Sequence, residues 1–228
     1  IDGDHIGGLK KWFEMDKEAF EIIEKVWFNS GRSIAKYFEE EEENNELIEK
    51  LTIFNNLETS VPQAMVFEDY IEKFLVWDKK IVKNGETVNQ NGVEIKLLSP
   101  NDKALKKLLK EYKKPKYNYQ TSGASSDWET SIKNFIEEET QTDFKFKEDR
   151  SVANGSSIAF LLTFYSKNYL FLGDSHPSIV IDSLKKLEYS RENPVTCAVY
   201  GLKQTIALNF PVKFLLSPGA RYIPVIKP

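Results

Sequence analysis

The stretch Ser157-Ile158-Ala159-Phe160-Leu161-Leu162-Thr163-Phe164-Tyr165-Ser166-Lys167-Asn168-Tyr169-Leu170-Phe171-Leu172-Gly173-Asp174-Ser175-His176-Pro177 decides the fold class. Two apolar, aromatic-rich runs, 157–164 and 169–172, flank Ser166-Lys167-Asn168. That pattern predicts a β-hairpin turning at those three residues. The second run leads straight into Gly173-Asp174. A carboxylate just past a buried strand is a common place for a ligand or a catalytic group. Pro177 suits the first turn of a helix, where no backbone donor is needed. Ile179, Val180, Leu184 and Leu187 give that helix an apolar face.

The same reading extends upstream. Lys80–Lys83, Thr87–Gln90 and Val93–Leu98 read as short strands separated by Asn84-Gly85 and Asn91-Gly92, both good tight-turn pairs. Leu98-Ser99-Pro100-Asn101 ends the last of them and opens a helix through Leu105, Leu108, Leu109 and Tyr112. Val66, Phe67, Tyr70, Ile71, Phe74 and Leu75 predict an amphipathic helix. Residues 7–16 read as a short helix, Val26–Phe28 as a strand, and 33–51 as a helix whose acidic run, Glu39–Glu43, is a solvated face. Residues 114–127 read as a mobile loop, followed by a helix near 132–138. An α/β domain is the expectation.

Bulk properties narrow the function classes. The chain has 228 residues, 41% of them hydrophobic and 29% charged, enough for one large domain or two small ones. No apolar run approaches a membrane span, so no membrane partner is expected. The net charge of -4 excludes a polycation that binds nucleic acid through its whole surface. Lys103, Lys106, Lys107, Lys110, Lys113, Lys114 and Lys116 form one local basic stretch, either a solvated helix face or a face for phosphates. The single cysteine, Cys197, and the lack of a signal peptide predict a cytoplasmic protein. The chain begins at Ile1, and a metal-binding loop normally follows a strand. A fragment lacking its N-terminal segment is therefore expected.

Both histidines of the chain sit in acidic, glycine-bearing clusters. His5 lies in Asp2-Gly3-Asp4-His5-Ile6-Gly7-Gly8, and His176 lies in Gly173-Asp174-Ser175-His176-Pro177. Imidazole and carboxylate are favoured ligands of divalent transition metals. The first cluster is not a calcium-binding EF-hand loop, because Ile6 and Phe13 would fall where oxygen ligands are required. A plain turn remains an alternative there. In the second cluster, Asp174 could cap the following helix, a role compatible with metal binding.

Asp2-Gly3-Asp4-His5-Ile6-Gly7-Gly8 resembles the second half of the His-x-His-x-Asp-His signature of metallo-β-lactamase-fold hydrolases. The closest likeness is to the competence-protein-like bacterial branch, in which an aspartate can replace the second histidine. Asn154-Gly155-Ser156-Ser157-Ile158-Ala159-Phe160, Leu170-Phe171-Leu172-Gly173-Asp174-Ser175 and Leu97-Leu98-Ser99-Pro100 resemble it too. The likeness spans residues 1–197, with 30–150 elaborating one side of a single 1–228 domain.

The resemblance implies a four-layer αββα sandwich, incomplete at the N-terminus, with one or two zinc ions and manganese as the alternative. Asp174 would bridge the metals, and Asp4 and His5 would bind the second. Asp2 would help a histidine upstream of Ile1 hold the first. Asp4 would also be the catalytic group. Asn154, Ser156 and Ser157 would contact metal or substrate, or simply hydrogen-bond at a strand start. His176 has no fixed role in the family and could be a metal ligand, a group that orients a ligand, or a substrate contact. The implied activity is hydrolysis of a phosphodiester or nucleic acid. The alternative is a catalytically impaired module of that fold, serving as a subunit in a larger bacterial assembly with protein partners.

Two departures favour that alternative. Residues 153–157 offer no histidine. Where the family carries Ser-His-His-Gly-Ser, this chain reads Cys197-Ala198-Val199-Tyr200-Gly201-Leu202-Lys203. Suitably chosen codons for Gly201–Asn209, read from the last base of the first, give Ser-Lys-Ala-Asn-Asn-Arg-Thr-Lys. Residues 210–228 also hold four prolines and no acidic residue. Either the tail after Cys197 is out of frame and docks poorly, or the C-terminus is divergent.

Overall fold

The computed structural model describes residues 3–16, 18–39, 60–74, 76–113, 148, 150–190, 192–200 and 212–214. The expected loop at 114–127, the helix near 132–138 and most of the acidic run lie outside these residues, as does Asp2.

The chain is a mixed α/β protein. Helices α1 (Gly3–Met15), α2 (Ala19–Ile22), α3 (Gly31–Tyr37) and α4 (Ser60–Glu72) come first. Strands β1 (Thr87–Gln90) and β2 (Val93–Ser99) follow, then α5 (Asp102–Tyr112), α6 (Val152–Gly155), β3 (Ala159–Phe164), β4 (Lys167–Phe171), α7 (Pro177–Lys186), β5 (Val195–Tyr200) and β6 (Val212–Phe214).

The six strands form one sheet in sequence order. β1 to β4 run antiparallel. β5 pairs parallel to β4 and β6 parallel to β5. The parallel step needs a crossover, and α7 supplies it. Of the C-terminal tail, Val212–Phe214 enters the sheet beside Val195–Cys197.

The hairpins form where turn chemistry allows. Asn91 and Gly92 both take positive φ, as a two-residue turn between right-twisted strands requires. The β3–β4 turn lies earlier than the Ser166-Lys167-Asn168 expected. Tyr165 and Ser166 occupy it with φ of 46° and 60°, and Lys167 and Asn168 belong to β4. The two-residue geometry imposed by strand twist overrides the preference of the residues. The Thr163 hydroxyl then donates to Asn168 Oδ1 across the ladder.

Alternation divides the sheet's faces. Leu161 and Leu170 point to α7 and join Leu98, Ala159, Leu172, Val180, Leu184, Val195 and Cys197 in one core. Phe160 and Phe171 stack on the other face, centroids 4.8 Å apart, and Trp27 meets Phe160 edge-on. A second core joins α1, α4 and residues 26–28 through Ile6, Phe13, Phe28, Phe67, Ile71 and Trp77. A third, Ile34, Ala35, Ile81, Leu105, Leu108 and Leu109, lies between α3 and α5.

Two expected strands are absent. Residues 26–28 and 80–83 are extended but form no ladder. Apart from a bond from the Val26 amide to Val76 O, side chains satisfy their backbone instead. Asn29 Nδ2 donates to Val82 O, and the Val82 amide donates to Asn29 Oδ1. Trp77 Nε1 donates to Phe28 O. Ser30 then caps α3 by accepting from the Ser33 amide.

Candidate functional site at one edge of the sheet

Strand register assembles the site. Ser99 lies opposite Ala159, Phe160 opposite Phe171, and Phe171 beside Tyr200. The end of β2, the start of β3 and the ends of β4 and β5 therefore share one edge of the sheet. Leu97–Pro100, Asn154–Ser157 and Gly173–His176, far apart in the sequence, meet there.

The β4 end is a tight turn. Gly173 takes φ of +53°. Its α-carbon faces Ser157 Cβ and Ile158 O, each 3.7 Å from where a side chain would begin. The Ser175 amide and hydroxyl both donate to Leu172 O, which closes the turn. Asp174 is half-buried in it.

His176 occupies the N-cap position of α7, and its side chain makes no capping bond. Glu148 caps instead, accepting from the Ser178 amide at 2.7 Å and from its hydroxyl at 3.0 Å. The His176 ring packs on Gly155 so closely that a Cβ there would lie 2.6 Å from His176 Cε1. His176 Nε2 is buried without a hydrogen-bond partner, and Ser99 Oγ at the same edge is in the same state. Leaving a buried polar atom unpaired costs about 1–3 kcal/mol.

The remaining members of this edge are structural. Ser151 caps α6 by accepting from the Asn154 amide. The buried Ser156 hydroxyl donates to Ala153 O. Ser157 is half-buried, and its amide donates to Asn154 O.

On the β5 side, Cys197 is fully buried, and burial pushes its thiol up to about 11, so the thiolate is not available. α7 is tethered over the sheet: Ser183 Oγ donates to Leu98 O, and Asn84 Nδ2 donates to Ser183 Oγ.

Helix α1 begins at Gly3, so Asp4 and His5 lie in its first turn rather than in a loop ahead of it. Negative charge is favourable at that end of a helix. The side chains of Asp4 and His5, and all of Asp2, fall outside the described residues, so their convergence with Asp174 is not described. Among the described residues, no three His, Cys, Asp or Glu side chains form a metal-holding group. What the edge does offer suits a divalent metal: a carboxylate at Asp174 and, two residues on, an imidazole whose Nε2 is buried and unpaired.

A second polar region lies on the helical side. A cavity of about 500 Å³ is lined by Arg32, Lys36, Tyr37, Glu68, Lys79 and Lys80, among others. Arg32 Nε donates to Glu68 Oε1 at 2.9 Å, and its Nη2 pairs with Asp69 and Glu72. Lys79 pairs with Glu72, and Lys80 with Glu86. Burial raises the Glu68 carboxyl above its ordinary value, outweighing the Ser30 hydrogen bond and Arg32.

Of the basic stretch, Lys103, Lys106, Lys107 and Lys110 are exposed on α5, opposite buried Leu105, Leu108 and Leu109. Asn101, directly after the site edge, caps that helix by accepting from the Ala104 amide. Lys114 and Lys116 lie outside the described residues.

Sequence reasoning did not find Gly155 as the seat of His176, Glu148 as the cap of α7, or the unpaired Ser99 hydroxyl. No local pattern marks them, because each depends on a partner distant in the chain.

Comparison with protein-family models, with curated proteins and with solved structures finds no match for this chain. Among the described residues, no helix is long and apolar enough to cross a membrane.

Proposed function

We propose that this chain is a metal-dependent hydrolase of metallo-β-lactamase type, acting on a phosphodiester or nucleic-acid substrate. One observation carries the reading. Leu97–Pro100, Asn154–Ser157 and Gly173–Asp174, each resembling that family in sequence, come together at a single sheet edge. The β3–β4 hairpin sets the second beside the third, and the β2–β3 ladder adds the first. The finer fold, an αββα sandwich, belongs to this proposal. The stacked Phe160 and Phe171 on the face away from α7 supply an apolar surface for a further layer.

Asp174, Asp4 and His5 would hold the metal, with Asp2 assisting. Zinc, or manganese in so oxygen-rich a set, supplies Lewis acidity and a water of lowered pKa. Asp4 would orient the attacking water and accept its proton. The exposed lysines of α5, a helix that starts at the site edge, attract the phosphate substrate. The reading also places the protein in the cytoplasm.

A second reading is a catalytically impaired subunit of a larger bacterial assembly. It is favoured by β5 leading into Tyr200-Gly201-Leu202, where the family carries histidines.

Elemental analysis and hydrolysis of an activated phosphodiester test these readings together. The enzyme reading expects close to stoichiometric zinc or manganese, metal-dependent turnover, and loss of most metal in Asp174→Ala. Metal without turnover supports the impaired module. Absence of metal overturns the hydrolase.

A further inference from the structure

We infer that His176 is a metal ligand through Nε2, held in place by Gly155. The inference rests on the metal-dependent reading above and gives a role to a residue that reading leaves unassigned.

Three features fix the ring, and a fourth shows that it is not needed as a cap. It follows the turn closed by Ser175 on Leu172 O. Pro177 restricts the backbone after it. Gly155 leaves room that any side chain would fill, since a Cβ there would lie 2.6 Å from Cε1 and 3.1 Å from Nε2. Glu148 already caps Ser178, so the imidazole is not needed to cap the helix.

A histidine fixed this firmly for packing alone would have both nitrogens satisfied, because buried polar atoms are rarely left unpaired. Here Nε2 is buried and unpaired. A neutral ring with its proton on Nδ1 presents a lone pair at Nε2, the form in which histidine binds divalent metals. Asp174 lies two residues earlier on the same turn and carries a carboxylate. The chain has only two histidines, and the segment after β5 has none. His176 therefore brings an imidazole to the β4 end, and the sequence after β5 offers none.

The alternative is a structural histidine whose Nε2 is bridged by water to Ser99 Oγ. Long-range 1H–15N spectra of the 15N-labelled chain, titrated with zinc and then with 113Cd, separate the two. His5→Gln distinguishes the two imidazoles. A large shift of His176 Nε2 and coupling to 113Cd are expected. Chelator competition should show zinc bound at least about tenfold more weakly in His176→Ala and in Gly155→Ala, which displaces the ring. Zinc binding with His176 Nε2 unshifted overturns the inference and leaves the metal reading standing. No zinc binding by the wild-type chain overturns both.

Discussion

The sheet edge and the helical shoulder of this protein are held together in different ways. Around β3, β4 and β5, backbone ladders satisfy the chain, and side chains on one face are left to pack apolar against α7. Around residues 26–32 and 68–82, the backbone has no ladder. Asn29, Trp77 and Ser30 satisfy it, and the partly buried Arg32 neutralises Glu68. The first arrangement leaves a turn free to carry Asp174 and His176. The second commits its polar side chains to structure, including most of the cations lining its cavity. Charge density alone therefore does not mark a site on that shoulder.

Arg32 tests this contrast most severely. The Glu68 side chain is 5% exposed. Arg32→Ala should destabilise the fold by about 3–5 kcal/mol, because breaking a buried pair strands a charge. Arg32→Met with Glu68→Leu should recover most of that loss. Urea denaturation of both variants provides the measurement, and an Arg32→Ala effect below that of an exposed pair would show the network to be superficial.

Asn29→Ala should cost about 2–4 kcal/mol, since it leaves the Val82 amide and carbonyl without partners. Asn168→Ala, at a half-buried position in the sheet where the ladder persists, should cost less than about 1 kcal/mol. Equal thermal shifts for the two would erase the distinction between the regions.

Acidity should separate two glutamates. Glu68 is raised from its ordinary value near 4.5, chiefly by burial, so the folded chain protonates it earlier than the unfolded chain does. Its contribution is therefore favourable at low pH and is lost as pH rises through the raised value. Glu72 is lowered, first by its hydrogen bond from Lys79, and loses its contribution as pH falls. Glu68→Gln should gain stability relative to wild type as pH rises from about 4.5 toward neutrality, whereas Glu72→Gln should lose it. Parallel pH profiles of the urea midpoint would contradict the assignment.

The smallest effect belongs to the β3–β4 turn. Tyr165 and Ser166 hold positive φ at a cost. Replacing them with Asn-Gly should stabilise the protein by about 0.5–1 kcal/mol, read as a raised melting temperature. A loss would mean that the exposed Tyr165 ring, which meets Phe164 edge-on, contributes more than the turn strain removes.

The elements that were legible in the sequence carry their own local reasons. The α5 helix follows from the Asn101 cap and the 105, 108, 109 spacing, α7 from Pro177 and Val180–Leu184, and the β1–β2 hairpin from Asn91-Gly92. The Gly173-Asp174 turn was also legible, because a buried strand ending in Gly-Asp needs no distant partner to be recognised. Val26–Phe28 and Lys80–Lys83 read as strands and are not. Extended propensity is local, but pairing is not, and Asn29 reaches Val82 in place of a neighbouring strand.

The sequence by itself determined the mixed α/β class, the helices with capped and periodic faces, and the candidate residues Asp174 and His176 on one turn. Tertiary structure alone decided that Ser99, Gly155 and His176 share an edge. Antiparallel register aligns the end of β2 with the start of β3, and the start of β3 with the end of β4. It also decided that His176 Nε2 loses its solvent without gaining a bond. Burial and partnership are properties of the surroundings, and those surroundings come from segments that share no local pattern.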